Sequence, residues 1–283
     1  MTRLSLAMIA ALGMIASALP LRAGEAERVV SIGGAVTEIV YALGEADRLV
    51  ARDTTSNYPP EAEALPDVGY IRALSPEGVL SVAPDLILSE EGAGPPEAVE
   101  LLRSAAIPFA EVPGGFTRAA IGAKIRAVGD ALGVPDKAEA LAAQVAADLD
   151  AALDGVEAGG KRVLFILSMQ GGRVMASGRD TAADGIIRLA GAENAVTAFS
   201  GYKPMTDEAV TQAAPDVILM MDREGDHAAA DAQLLAHPAI STTPAARDRA
   251  IVRMDGMFLL GFSVRTPEAV RALARALHAP AAQ

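Results

Sequence analysis

The sequence has no cysteine and no tryptophan, three histidines, six Phe and four Tyr. Without cysteine there are no disulfides, thiolate metal ligands, cysteine nucleophiles or lipidated N-terminal cysteine. No two of His227, His237 and His278 have the short helical spacing of zinc ligands, and none joins a carboxylate cluster. They read as surface residues and argue against metal capture. The glycine pairs Gly33-Gly34 and Gly171-Gly172 lack the spacing of a dinucleotide fingerprint, and no Gly-rich loop ends in Lys-Ser or Lys-Thr. Ser31 and Ser168 lie beside apolar runs but outside any Gly-x-Ser-x-Gly elbow. Enzymatic chemistry is therefore not expected. Cations are also in deficit, at 24 Lys and Arg against 36 Asp and Glu, and the net charge of -12 argues against a nucleic-acid partner.

What is present begins with an apolar run from Leu4 to Leu19, preceded by Arg3 and followed by Pro20 and Leu21-Arg22-Ala23. It is short for a membrane span and reads as an export signal over residues 1–23, with cleavage as late as residue 26. An exported chain without disulfides must rely on core packing, and 283 residues, 51% of them hydrophobic, allow one large or two modest domains.

The remainder alternates strand and helix signals. Val29-Val30-Ser31-Ile32 is a strand candidate closed by Gly33-Gly34; Thr37 is the expected cap of the next helix, and Leu49-Val50-Ala51 resumes the sheet. Pro95-Pro96 opens a helix with Val99, Leu101 and Leu102 inward, and Asp255-Gly256 reads as a tight turn. Two stretches recur. Ser75-Pro76-Glu77 through Ala83-Pro84-Asp85-Leu86-Ile87-Leu88 returns 131 positions later as Thr206-Asp207-Glu208 through Ala214-Pro215-Asp216-Val217-Ile218-Leu219. Glu38 to Asp47 matches Gly185 to Asn194 at an offset of 147. Two matches in the same order indicate a duplicated α/β lobe with loops of different length.

Between the copies, Pro135 to Leu153 contains no Gly and no further Pro, carries Asp136 and Glu139 near its start, and places Leu141, Val145, Leu149 and Leu153 four apart. It predicts a helix about 28 Å long. The expected organisation is a first lobe over 27–130, a helix over 135–154 and a second lobe over 161–283.

Tyr70 and Arg72 stand in Gly69-Tyr70-Ile71-Arg72, which has no counterpart in the second copy. In an extended segment their side chains share a face. A guanidinium beside the phenol favours phenolate, a hard donor suited to ferric iron, and haem held by tyrosine is a known mode. The alternative on the residues alone is a tyrosine in a packed turn.

The run Ser31-x-Gly33-Gly34-x-x-Thr37-Glu38-Ile39, then Arg52-Asp53-Thr54-Thr55-Ser56-x-Tyr58-Pro59, then Leu65-Pro66-Asp67-Val68-Gly69-Tyr70-x-Arg72-x-Leu74-Ser75-Pro76-Glu77 resembles periplasmic haem-binding proteins of bacterial haem ABC importers. The resemblance extends through Glu91-Gly92-Ala93-Gly94-Pro95-Pro96, Gly178-Arg179-x-Thr181, Gly201-Tyr202-x-Pro204 and Gly261-Phe262. It implies two Rossmann-like α/β lobes joined by one long helix, with a ligand cleft between them. It also implies haem b as the transported ligand, Tyr70 as the axial ligand of the haem iron and Arg72 as its support. Met169 stands where one type of relative carries a His used with two stacked haems, and a thioether is a weaker ligand for ferric iron. Arg173, Arg179 and Lys203 are candidates for the propionates, and Tyr58 and Tyr202 for lining the cleft. Glu77 and Glu208, one per lobe, are the docking carboxylates for an inner-membrane haem ABC permease. A periplasmic monomer supplied by an outer-membrane haem receptor system follows. The alternative ligand is a ferric siderophore or a cobalamin-like molecule.

Overall fold

The computed structural model describes residues 26–154, 159–222 and 227–278; the expected export signal lies outside these residues. In the first lobe, Val29–Ile32 (β1), Leu49–Arg52 (β2), Leu86–Glu90 (β3) and Phe109–Val112 (β4) form a parallel sheet in the order β2-β1-β3-β4. Every residue of β1 is buried because helices cover both faces of a parallel sheet, which is why the strand reads as an unbroken apolar run. The helices are Gly34–Ala42 (α1), Pro76–Ser81 (α2), Pro96–Ser104 (α3) and Arg118–Leu132 (α4).

Helix α5 follows as Pro135–Leu153, with Pro135 at the N-terminal position where a missing N–H costs nothing. It folds back on α4: Arg118 pairs with Asp150 at one end, and Arg126 with Glu139 at the other. The lobes are thus linked by a helical pair rather than by α5 alone. Its buried stripe is Ala138, Ala142, Val145, Leu149 and Ala152, while Leu141 and Leu153 lie at the flanks. Small residues replace the expected leucines because the α4 backbone passes close by. Glu139 lies beyond the first turn, so its partner is Arg126 rather than the helix N-terminus. Glu45 joins the end of α1 to α5; hydrogen bonding to Lys137 first, and also to Arg48, holds its carboxyl below the usual carboxylate range.

The second lobe contains Arg162–Gln170 (β5), Arg173–Ser177 (β6), Ala182–Leu189 (α6), Glu193–Asn194 (β7), Tyr202–Met205 (β8), Asp207–Ala213 (α7) and Val217–Met221 (β9). His227–Leu235 (α8), Pro238–Ser241 (α9), Pro244–Arg247 (α10), Ile251–Met254 (β10), Gly256–Leu260 (α11) and Thr266–His278 (α12) complete it. Strands β10, β9, β5 and β7 are parallel and repeat the first-lobe order, whereas β6 and β8 add an antiparallel extension. Gly171 and Gly172, at φ 57° and 75°, make the tight β5–β6 turn.

The duplication reaches individual hydrogen bonds. Ser75 caps α2 by accepting from the Gly78 amide, and Thr206 caps α7 by accepting from the Ala209 amide. Ala83 and Ala214, each before a proline, take left-handed φ values of 48° and 40°. Asp85 accepts from the Arg28 amide and Asp216 from the Arg162 amide, both at 2.9 Å.

Three local expectations fail for tertiary reasons. Thr37 does not cap α1; it is buried at the third position after Gly34 and bonded to Ser31 and Ser56. Leu101 is 62% exposed, because the buried face of α3 runs through Ala98, Val99 and Leu102. Asp255 caps α11 instead of forming a turn, its carboxylate accepting from the Phe258 amide.

The lobes also meet along a charged seam. Glu38 on α1 is 3% exposed and bonds both Ser263 and Arg265 of the second lobe. Lys124 on α4, 1% exposed, pairs with Glu90 and reaches the Gly261 carbonyl oxygen at 3.5 Å. The Arg265 side chain is only 15% exposed, and a mostly desolvated guanidinium left without its carboxylate is costly, so Glu38→Ala is expected to lower stability by about 3 kcal/mol, the low end for a broken buried pair. A loss below about 1 kcal/mol in urea unfolding would mean that solvent screens the pair like a surface bridge. At the helical pair, a methyl added to Gly129 would lie 2.2 Å from the Ala138 Cβ. Gly129→Ala gains about 1 kcal/mol of helix propensity but overpacks the contact at a cost of about 1–3 kcal/mol. A lower melting temperature is expected, and a higher one would show that the helices separate freely.

Candidate functional site

In open α/β sheets ligands bind beyond the carboxyl ends of the strands. In the first lobe those ends are organised by Asp53, which is fully buried and accepts from the Gly33 amide, the Thr55 amide and hydroxyl, and the Ser56 hydroxyl at 2.8–3.0 Å. A carboxylate with this many donors is satisfied without a counter-ion. It fixes the loop leading to Tyr58.

The Tyr70 turn is held on two sides. On one, it lies along an extension of β2: the Val68 amide donates to Arg52 O at 2.9 Å, the Thr54 amide to Gly69 O at 3.0 Å, and Arg52 pairs with Asp67 at 2.8 Å. On the other, it meets the loop after β3: the Gly94 amide donates to Ile71 O and the Leu74 amide to Gly94 O, each at 2.8 Å. Tyr70 to Ala73 is a β-turn closed by Ala73 N to Tyr70 O at 2.7 Å, not the extended segment expected, so the common-face argument for Tyr70 and Arg72 does not hold. Ile71 at the turn's second position is buried, which leaves Tyr70 outside, 49% exposed. The Arg72 guanidinium donates to the Gly92 carbonyl oxygen, and the left-handed Gly92 leaves it room: a Cβ there would lie 2.6 Å from an Arg72 nitrogen.

Tyr58, 41% exposed, presents its ring to Arg265, whose guanidinium carbon is 3.7 Å from the ring centroid. A residue of the second lobe thus fixes an aromatic side chain of the first through a cation–π contact. Arg265 and Asp53 were not among the sequence-derived candidates. Asp53 lay within a motif that carried the resemblance, but its fourfold acceptor role required the fold.

In the second lobe, Tyr202 and Lys203 pair with Ser177 and Ala176 across β6 and β8, and Arg179 bridges to Ser200. The structure therefore gathers Arg179, Tyr202 and Lys203 at one sheet edge. Burial pushes the Tyr202 phenol up, with smaller opposing effects from the Ala183 backbone and Thr181 side chain, while its ring lies edge-on to Phe165. Lys203 sits over the Phe199 ring. Arg173 is exposed at the start of β6, and Met169 is half-buried against the second-lobe core, past a register shift in β5. His237 is not a free surface residue: one ring nitrogen bonds the Gly172 carbonyl oxygen at 2.9 Å, and the other accepts from the Ala239 amide. The His227 side chain lies outside what the structure describes. Among the described residues no group of three His, Cys, Asp or Glu side chains is placed to hold a metal ion.

Glu77 and Glu208 occupy the first turns of α2 and α7, both exposed, at matching places in the repeat. Glu208 and Asp207 border an open depression of about 420 Å³ completed by Thr211, Gln212, Pro238 and Ala239.

Among solved structures, the periplasmic heme-binding protein BhuT in complex with two hemes is 44% identical, the match covering 88% of this chain and 97% of BhuT with a TM-score of 0.83. The apo form of the periplasmic heme-binding protein RhuT from Roseiflexus sp. RS-1 is 39% identical over 90% of this chain and 99% of RhuT, with a TM-score of 0.85. The uncharacterized ABC transporter substrate-binding lipoprotein YvrC of Bacillus subtilis (strain 168) is 29% identical over 203 residues, or 70% of this chain. The match spans 64% of that lipoprotein's length. A family model described as periplasmic binding protein matches residues 29–257, most of the chain, and the protein belongs to that family.

Proposed function

We propose that this protein binds haem in the cleft between its lobes and carries it through the periplasm to an inner-membrane ABC importer. The observation that carries the reading is Tyr70, a phenol held outward by a turn anchored on both sides, in a chain similar over nearly its whole folded length to heme-binding proteins. Tyr70 acts as the axial ligand of the iron. Arg72 supports it by pinning the turn to the Gly92 carbonyl oxygen. Tyr58 and Tyr202 supply apolar ring surface, with Arg179, Lys203 and Arg173 as the cations available to the propionates. Met169 completes the apolar surface of the second lobe and is no strong iron ligand. The protein binds and releases its cargo without changing it, in keeping with its family of binding proteins. Haem reaches it from an outer-membrane receptor system.

Delivery uses Glu77 and Glu208. Two exposed carboxylates on separate lobes, at equivalent repeat positions, make a two-point contact for cationic groups of a permease. The permease reads lobe spacing as well as charge.

Hemin titration followed by visible absorption tests the ligand. Saturation at one hemin per chain is expected, with a phenolate-to-iron charge-transfer band that Tyr70→Phe abolishes. The absence of specific binding would move the function to a ferric siderophore or a cobalamin-like ligand. For delivery, the double variant Glu77→Arg with Glu208→Arg should abolish permease-dependent haem uptake into vesicles and leave hemin affinity unchanged. Uptake at the wild-type rate would remove both carboxylates from the docking surface.

A further inference from the structure

Aromatic side chains are scarce in this chain, yet among the described residues four of the five exposed large hydrophobic ones are aromatic: Tyr58, Tyr70, Phe116 and Tyr202. Phe116 belongs to none of the motifs that pointed to a site. It lies just after β4, between Gly115 at φ 110° and Thr117, whose hydroxyl accepts from the Ala120 amide to cap α4. Its backbone is therefore fixed on both sides while the residue as a whole stays 38% exposed.

Two further features aim that ring. The first is the loop after β3. The Tyr70 turn bonds to Gly92 and Gly94 on one side of this loop. The segment before Phe116 bonds to it on the other, the Glu91 amide donating to Val112 O and the Gly114 amide to the Glu91 carboxylate, each at 2.8 Å. Phe116 and Tyr70 thus flank one short loop at the carboxyl end of the sheet. The second is contact with the other lobe. Phe262, 2% exposed, meets the Phe116 ring edge-on at 5.4 Å between centroids. It does so from a left-handed backbone at φ 50°, a conformation unfavourable for a bulky residue and concentrated at ligand clamps. Gly185 inside α6 leaves space for the Phe116 backbone and the Phe262 ring: a Cβ there would lie 2.6 Å from Phe116 O, 2.8 Å from the Phe116 Cβ and 2.9 Å from the Phe262 ring. Glycine inside a helix is unfavourable, so the close approach is retained against local preference.

We infer that Phe116 is a ligand-contact residue, an aromatic wall that stacks on a flat, apolar, conjugated ligand whose metal is held by Tyr70, with Phe262 and Gly185 as its positioning residues. The inference rests on the haem reading and adds to it a second anchor on the same lobe that acts through the ring face rather than the metal. Aromatic stacking stabilises by an amount that depends on the ring and not only on apolar area.

The test measures hemin dissociation from the full-length mature protein into excess apomyoglobin, for wild type and for Phe116→Ala, Phe116→Leu and Phe116→Tyr. Alanine is expected to raise the dissociation rate about tenfold, leucine by about half that on a logarithmic scale, and tyrosine less than about twofold. The phenolate-to-iron band is retained throughout, because Tyr70 is untouched. Thermal unfolding of the apo forms distinguishes a local packing role. As the residue before the cap of α4, Phe116 is also placed to pack on Ile121, and a purely structural role would lower the melting temperature while leaving dissociation unchanged. Dissociation rates for Ala and Leu within twofold of a wild type that binds hemin saturably would overturn the assignment and leave the haem reading intact. A wild type that does not bind hemin would overturn both.

Discussion

The contact between Gly129 of α4 and Ala138 of α5 sets the frame for the rest of the molecule. Because α4 packs on the first lobe and α5 on the terminal helix of the second, a single hydrophobic core runs from Val29 and Val36 through Val128, Val145 and Leu149 to Phe165, Val270 and Leu273. Relative motion of the lobes would expose part of that core to water, at about 25 cal/mol for each Å² of apolar surface. The seam adds a second restraint. Glu38 is removed from solvent and finds both its side-chain partners, Ser263 and Arg265, in the second lobe, while Lys124, paired with Glu90 in its own lobe, reaches across to the Gly261 carbonyl oxygen.

Within this frame the cleft loops are tied both to one another and to the strand ends they leave. Asp53 gathers the loop before Tyr58; Arg52 and Asp67 hold the approach to Tyr70; and the Glu91 to Gly94 loop receives hydrogen bonds from both flanks. A ligand surface built this way is ordered before the ligand arrives, which reduces the entropy lost on binding. Tyr58, Tyr70 and Phe116 are the aromatic residues that these loops leave exposed to solvent.

Duplication supplied the scaffold, and divergence at equivalent positions supplied the chemistry. Position 38 of the first lobe and position 185 of the second occupy the same place in the repeat and both face the seam. One is a buried glutamate that bonds Arg265, the other a glycine that admits Phe116 and Phe262. The Tyr70 turn has no counterpart, and the β6–β8 extension has none in the first lobe. A twofold scaffold therefore presents two unlike walls to its ligand.

Much of this organisation was legible in the sequence because it depends on neighbours along the chain. Apolar runs bounded by glycine, the prolines after Ala83 and Ala214, and the uninterrupted stretch from Pro135 to Leu153 each act through near neighbours in the chain. The repeat made the two lobes recognisable, and the Gly69 to Arg72 stretch marked the tyrosine. What the tertiary structure alone decided involves partners far apart in sequence. Thr37 became a buried network member instead of a cap, Arg72 met Gly92 rather than following an extended strand, and Leu101 faced solvent. Glu38 with Arg265, and Phe116 with Phe262, join residues well over a hundred positions apart. No local periodicity encodes such a pair, because its energy comes from desolvation and close packing that exist only once both lobes are folded together.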